Sequence, residues 1–432
     1  MELFSNLGSS INASLRVLNS SFVFSGKALQ LIGDLTLFKK DPELHIRLRE
    51  AFEELGATYI KLGQFIASAP SLFPREYTVE MEKCLDSVRP IPYPIIKSII
   101  EKELGGDLNQ FFSYVDPIPL ASASISQVHG ATTKTGYDVV IKVQRPDIES
   151  TLKTDMGLIY FATLIFSRIS PGITTSGLTD IVKDFYENII QEVDFIQEAK
   201  NISDFEKYLL SVGEDRAKVP RVFPEYSTRR VLTMERFYGI PLTNLESIRK
   251  YSKNPKETLT TALSIWFDSL GKSEIFHADV HAGNLMLLKD GKIGFIDFGI
   301  VGRISKDVWE GLLFFMQGIG IENPILMAKG LVKMASTSEG IDEGKFANDL
   351  RRILQEMKSI SDSIQKGKES EIDETRLNRI MFDIADVSKR NGLKIPREFG
   401  LLIKQMLYFD RYVKILAPEM DLIKDQNLYL PK

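Results

Sequence analysis

The chain has 432 residues, enough for two or three structural units with sizeable cores. Hydrophobic residues at 44% and charged residues at 26% are the proportions of an ordinary soluble globular protein, and a net charge of −4 gives no electrostatic footprint for a nucleic-acid partner. Cys84, the one cysteine, excludes an internal disulfide and a cysteine-based zinc site and fits a reducing compartment.

Residues 1 to about 37 carry few charges, and Leu7, Ile11, Leu15, Leu18 and Phe22 recur at helical spacing as one apolar stripe. Such a stripe packs on the protein's own core or lies on a membrane surface, and the scarcity of flanking basic residues weighs against the membrane. Glu2 stands where a secretory signal would be positive, and no apolar run reaches the roughly 18 residues of a membrane span. The expected location is cytoplasmic, with room for peripheral attachment at the inner face of a membrane. Oligomeric state is not legible.

Residues 43 to 115 read as helices, opened by Asp41-Pro42 and punctuated by Pro70, Pro74, Pro90, Pro92 and Pro94. Cys84, between Lys83 and Asp86, reads as a small buried hydrophobe on one of them. A strand pattern starts near residue 117: Ile118 to Leu120, a small-residue turn Ala121-Ser122-Ala123-Ser124, then Ile125 to Ala131, then Val139 to Val143 after the Lys134-Thr135-Gly136 turn. Residues 149 to 170 look like an inserted helical pair whose apolar run, Leu158 to Phe166, reads as buried. Leu178 to Leu209 reads as one long amphipathic helix with Ile181, Phe185, Ile189 and Val193 on its core face. Arg230 to Met234 is strand-like. Beyond Gly239 the pattern is helical, except for a short strand from Gly291 to Ile296. Residues 336 to 376, rich in Ser, Glu and Lys, read as solvated helices or a loop, and no internal repeat is present.

The chemistry concentrates in His277-Ala278-Asp279-Val280-His281-Ala282-Gly283-Asn284, with Asp297-Phe298-Gly299 beginning thirteen residues after Asn284. An Asp and an Asn five positions apart, followed by Asp-Phe-Gly, is the spacing of a kinase-like phosphoryl-transfer site. The cofactors it implies are ATP and Mg²⁺. The ion takes oxygen ligands, which Asn284 and Asp297 supply, while Asp279 is placed to orient or deprotonate an acceptor hydroxyl or water.

Lys142 lies in an apolar strand and needs a partner or ligand when buried. In kinases such a lysine grips the α- and β-phosphates and pairs with a helix glutamate, for which Glu198 is best placed. On a continuous helix at about 100° per residue, Asp194 and Glu198 share a face and Glu192 points elsewhere, unless the helix breaks near Asp194. The turn Ala121, Ser122, Ala123, Ser124 stands where glycines would let backbone N–H groups approach phosphates. Alanine and serine stiffen it, which predicts an unusual nucleotide preference. Met234, Glu235 and Phe237 stand where an interlobe hinge would meet adenine, and His129 reads as a satisfied structural histidine. The expected fold is α+β: a protein-kinase-like two-lobed fold, with a helical extension over residues 1–115, an N-lobe over 116–236 carrying a helical insert at about 149–176, and a helical C-lobe over 237–432.

Together these residues resemble the UbiB, or aarF-domain-containing, atypical kinases. Lys61-Leu62-Gly63-Gln64 is similar to the family's KxGQ signature, Pro119 to His129 to its alanine-rich nucleotide loop, and Glu192-Val193-Asp194 with Glu198 to its ExD segment and helix glutamate. The resemblance implies that the N-terminal extension covers the active site. Lys61 and Gln64 would then join the catalytic set beside Glu192 and Asp194, and a peptide acceptor would be obstructed. It also implies ATP hydrolysis, membranes, and the making or handling of ubiquinone and related prenyl lipids, so that a lipid or isoprenoid-like molecule becomes the expected partner. Ser126 stands where the family's loop often has glycine. The chain closes with an amphipathic stretch at Phe399 to Leu416 where ubiquinone-pathway members often carry membrane spans, which loosens the tie to quinones. The favoured reading is an ATP-dependent atypical kinase or ATPase; the alternatives are an aminoglycoside- or choline-type small-molecule phosphotransferase and a nucleotide-binding pseudokinase scaffold.

Overall fold

The computed structural model describes residues 43–67, 75–81, 83–84, 89–169, 175–242, 245–252, 254–273, 275–280, 284–335, 341–365 and 391–393, with isolated positions 16, 19, 20, 23, 26, 380, 383, 384, 387, 388, 390, 399, 402, 405 and 409. The stripe from Leu7 to Phe22 falls outside them. The chain divides into two compact units, Met1–Ala199 with Arg221–Arg236, and Lys200–Pro220 with Phe237–Lys432.

In the first unit, helices α1 (Leu44–Leu55), α2 (Ala57–Ala67) and α3 (Arg75–Met81) bury Ala51, Phe52, Leu55, Tyr59, Ile66 and Met81 in one core. Cys84 joins that core from a bend just beyond α3 rather than from a helix, and burial pushes its thiol up to about 11. Helix α4 (Tyr93–Leu104) and the short α5 (Leu108–Phe111) lead into strands β1 (Phe112–Ser122), β2 (Ser126–Thr133) and β3 (Asp138–Gln144). With β5 (Val231–Glu235) these form an antiparallel sheet in the order β1-β2-β3-β5. Ile96 and Ile100 of α4 pack against Phe112, Val139, Ile141, Val143 and Val231. That packing explains why β1 begins five residues before the expected position 117: Phe112 and Val115 face this core.

Two helical expectations change. The insert is one helix, α6 (Ile148–Ile169), not a pair. Its Leu152, Met156 and Ile159 pack against Phe185 and Ile189, but only one face is used, so Phe161, expected to be buried, is 61% exposed. The long helix is two, α7 (Thr175–Glu192) and α8 (Phe195–Ser211). They part at Asp194, whose carboxylate accepts from the backbone N–H groups of Ile196 and Gln197 and so caps α8.

The second unit contains more strand than expected. Strands β4 (Ala217–Lys218), β6 (Gly239–Pro241), β8 (Leu285–Leu288) and β9 (Ile293–Phe295) form a sheet in the order β4-β9-β8-β6, and β7 (Phe276–His277) pairs with β10 (Val301–Gly302). Helices α9 (Leu245–Tyr251), α10 (Pro255–Lys272), α11 (Lys306–Gly320), α12 (Pro324–Met334) and α13 (Glu343–Gln365) complete its described regular elements. Trp266 and Phe267 of α10 lie in a core with Phe276, Phe295, Phe298 and Phe315 among its fully buried side chains. α11 and α12 touch backbone to backbone: a Cβ added to Gly330 would stand 2.5 Å from the Gly311 carbonyl oxygen. The stretch 336 to 376, expected to be solvated, contains α13, whose Phe346, Leu350 and Ile353 are buried.

Candidate active site

In the first unit, Lys142 sits mid-strand on β3, between Val128 of β2 and Leu232 of β5, which aims its side chain by strand alternation. Its ammonium donates to both carboxylate oxygens of Glu198, at 2.9 and 3.0 Å, and lies 5.3 Å from the centre of the Phe195 ring. Both partners are buried, so each charge requires the other. Glu198 stands in the first turn of α8, where the helix dipole also favours a carboxylate.

A second ion pair lies close by in sequence. Leu62 and Phe65 of α2 pack among the α6 and α7 side chains, and Lys61 meets Glu192 at 2.7 Å. Glu192 is the last residue of α7, where the dipole disfavours negative charge, and the lysine offsets it. Gly63 is forced by close approach, since a Cβ there would stand 2.6 Å from the Cys84 sulfur. Gln64 lies one residue further along the same helix. Asp194 serves as the α8 cap, with the Arg229 guanidinium 3.7 Å away.

The small-residue turn falls two residues later than expected. Ala121 and Ser122 are still in β1, paired with Val128 and Gln127, and the reversal is made by Ala123, Ser124 and Ile125. Arg145 closes it. Its backbone N–H donates to the Ile125 carbonyl, and its guanidinium donates to the Ala123 carbonyl at 2.8 Å, the Ser122 hydroxyl at 2.9 Å and the Arg89 carbonyl at 3.1 Å. These acceptors are all neutral, and burial pulls the guanidinium below its ordinary pKa. Next to the turn, His129 is fully buried: its Nδ1–H donates to the Asp116 carbonyl, and its Nε2 accepts from the Gln127 amide, which also binds both backbone groups of Ile91. Burial lowers the His129 pKa, so the ring is held neutral. Met234 pairs with Val140, and Glu235 with Val139, at the end of β5.

In the second unit, the β8–β9 hairpin does the positioning. Leu285 pairs with Phe295, and the Ile296 N–H donates to the Asn284 carbonyl, which sets Asn284 and Asp297 at the same end of the hairpin. Asp297 has φ 59°, a left-handed conformation costly outside glycine, and accepts from the Gly299 N–H. The Asn284 amide donates to the Asp279 carbonyl at 2.9 Å, leaving its side-chain oxygen as the remaining acceptor. His277 accepts from the Asp279 N–H through Nδ1 and, as the neutral tautomer this requires, donates from Nε2 to the Ile296 carbonyl. Asp279 itself is half-buried. His281, Ala282 and Gly283 lie outside the described residues. Phe237 belongs to this unit, with the Lys218 ammonium 5.3 Å from its ring.

Residues 83–323 match the family described as ABC1 atypical kinase-like domain. This chain belongs to the ABC1 family. It is 47% identical over 396 residues to an uncharacterized aarF domain-containing protein kinase, chloroplastic, of Arabidopsis thaliana, covering 88% of this chain and 73% of that one. It is also 29% identical to a probable protein kinase UbiB of Erwinia tasmaniensis, over 90% of this chain and 70% of the other. Among solved structures, a Mycobacterium tuberculosis protein determined in complex with erythromycin superposes with a TM-score of 0.51 at 22% identity, covering 96% of this chain and 99% of that one, a likeness of fold alone. The fold is thus a mixed helix-and-sheet, kinase-like one, and the ABC1 family in general implies ATP and metal-dependent phosphotransfer.

The ABC1 match includes Lys142, Glu192, Glu198, Asp279, Asn284 and Asp297, and begins after Lys61 and Gln64. Arg145 and Asn201, which donates to the Phe298 carbonyl at 3.0 Å, were not singled out from sequence. Arg145 stands three residues after Lys142 and directly after β3, a position that marks it in the sequence. Nothing local marks Asn201. Among the described residues no three His, Cys, Asp or Glu gather as a metal site, and no helix is long and apolar enough to cross a membrane.

Proposed function

We propose that the chain is an ATP- and Mg²⁺-dependent atypical kinase or ATPase. The observation that carries this reading is the buried Lys142–Glu198 pair, with both carboxylate oxygens on one ammonium. Burying two charges brings little net stability, so the pair is better explained as the grip for nucleotide phosphates. Asp279 would orient the acceptor. The donor set at the hairpin end fits Mg²⁺, which commonly takes one or two protein oxygens and fills its remaining positions with water and phosphate. Asn284 and Asp297 supply those two oxygens, and the ion would neutralise charge on the transferring phosphate. Ala121, Ser122, Ala123 and Ser124 would contact the phosphates, and Met234, Glu235 and Phe237 the adenine.

The acceptor class we propose is a prenyl lipid or related small molecule, ubiquinone-type lipids included, reached by peripheral contact with a membrane. The UbiB relatives support the lipid link. Lys61 on Glu192 supports it too, because the pair joins the two segments, Lys61 to Gln64 and Glu192 to Asp194, that carry the resemblance to the UbiB kinases. That pair also speaks against an ordinary aminoglycoside- or choline-type enzyme, which has no use for a lysine in that place.

The test is ATP hydrolysis by purified protein, with and without lipid vesicles and a small phenol, using Asp297→Asn as control. Turnover that rises with lipid and falls by roughly a hundredfold or more in the variant is expected, since the metal loses its charged ligand. Nucleotide binding with no turnover in any condition would sink the catalytic reading and leave a scaffold.

A further inference from the structure

The segment that carries Asp279 has nearly all its backbone hydrogen bonds accounted for, and one partner comes from far along the chain. The His277 carbonyl accepts from the Trp266 indole at 2.8 Å, and the Ala278 N–H donates to the Ile300 carbonyl. The Asp279 N–H goes to His277 and its carbonyl to Asn284. The two groups that flank Asp279 on either side, the Ala278 carbonyl and the Val280 N–H, are both taken by one side chain: Gln405 donates to the first at 2.6 Å and accepts from the second at 2.8 Å. Gln405 is fully buried and stands 82 residues beyond the end of the family match at residue 323.

We propose that Gln405 is a positioning residue for Asp279, fixing the backbone on both sides of it. The proposal rests on the phosphotransferase reading for the role of Asp279. A primary amide carries, at any ordinary pH and in one planar group, both the donor and the acceptor that a carbonyl and an N–H two residues apart demand. Leu402, Gln405 and Phe409 are spaced as one helical face, and all three are buried. Phe409 packs on Trp266 at 5.4 Å, the same indole that holds His277. A buried polar side chain costs stability unless its hydrogen bonds are made, and both bonds of Gln405 are made to the segment that carries Asp279.

Two variants separate positioning from mere packing. Gln405→Leu keeps size and apolar contact but removes both bonds. Its kcat should fall roughly tenfold or more, as a small misplacement of a reacting group does, with nucleotide affinity within about twofold of the unsubstituted protein. Gln405→Glu retains both bonds only when protonated, because a carboxylate cannot donate to the Ala278 carbonyl. Its activity relative to the unsubstituted protein should therefore rise as pH is lowered. Amide hydrogen exchange at Val280 supplies a readout independent of turnover and should quicken in Gln405→Leu. Unchanged kcat in Gln405→Leu, a flat pH ratio for Gln405→Glu, or unchanged exchange at Val280 would each overturn the proposal. Asp279→Asn runs alongside. If the unsubstituted protein shows no turnover the phosphotransferase reading fails, while Val280 exchange still decides what Gln405 does.

Discussion

His129 shows how much a single buried side chain commits. Its neutral ring links β1, β2 and the segment at Ile91 through one unbroken set of bonds, and protonation would turn Nε2 into a donor facing the Gln127 amide, itself a donor. Burial lowers its pKa in the folded protein below the ordinary value of 6.5. Between the two values the unfolded chain binds more protons, so stability is whole above about pH 6.5 and is lost as pH falls below it. Urea midpoints measured from pH 7.5 down to 5.5 should decline, and the decline should be shallower in His129→Gln. Equal slopes would show that the ring is not the group responsible. Lys142 and Glu198 were legible as a pair because the sequence offers a lysine in an apolar strand and a glutamate on a following helix. Gln405 was not legible, since its partner lies 125 residues away and nothing local distinguishes it.

At the scale of elements, the β1–β2 turn is where structure adds most to the sequence. It is braced by Arg145, whose fork reaches the Ala123 carbonyl, the Ser122 hydroxyl and the Arg89 carbonyl. A lysine is a point charge that cannot span these acceptors. Arg145→Lys and Arg145→Met should therefore lower nucleotide affinity alike, by several-fold, and each should cost about 2 kcal/mol of stability. Wild-type nucleotide affinity in Arg145→Lys would mean that charge, and not the fork, is what matters. The break between α7 and α8, the alternative that the acidic residues left open near Asp194, also has a local signal. Asp194-Phe195-Ile196-Gln197 has the form of a helix-start box, an acceptor followed three residues later by Gln. The apolar period of Phe185, Ile189 and Val193 runs up to the break and masks it, because the pattern reports which face is buried and not whether the backbone continues. The early start of β1 was hidden for a related reason: Phe112 and Val115 owe their place to packing in the core that α4 builds, which no local pattern reports.

For the whole molecule, the family and the kinase-like character were open to sequence because phosphoryl transfer demands particular residues at fixed spacing. The number of strands in the second unit was not, because pieces of two to four residues are too short to show a period. If Asn284 and Asp297 hold the metal, nucleotide with Mg²⁺ at a hundred times its dissociation constant should stabilise the chain by about 2.7 kcal/mol. A thermal-shift series should show a rise in melting temperature with ATP and Mg²⁺, reduced on adding a chelator and in Asp297→Asn. A shift indifferent to both would detach the ion from these residues. With a net charge of −4, attraction to anionic lipid has no source in bulk charge, so any membrane contact has to be local.

The joint at Val193 and Asp194 links the two lysine-bound carboxylates mechanically. Glu192 closes one rod and Glu198 opens the next, six residues on, and the Gln144 amide pins the pivot by holding the carbonyls of Val193 and Arg229. Torque applied through Lys61 has only this short arm to cross before it reaches the partner of Lys142. A ligand that drew Lys61 away from Glu192 would therefore be felt by Lys142 as a change in the aim of Glu198.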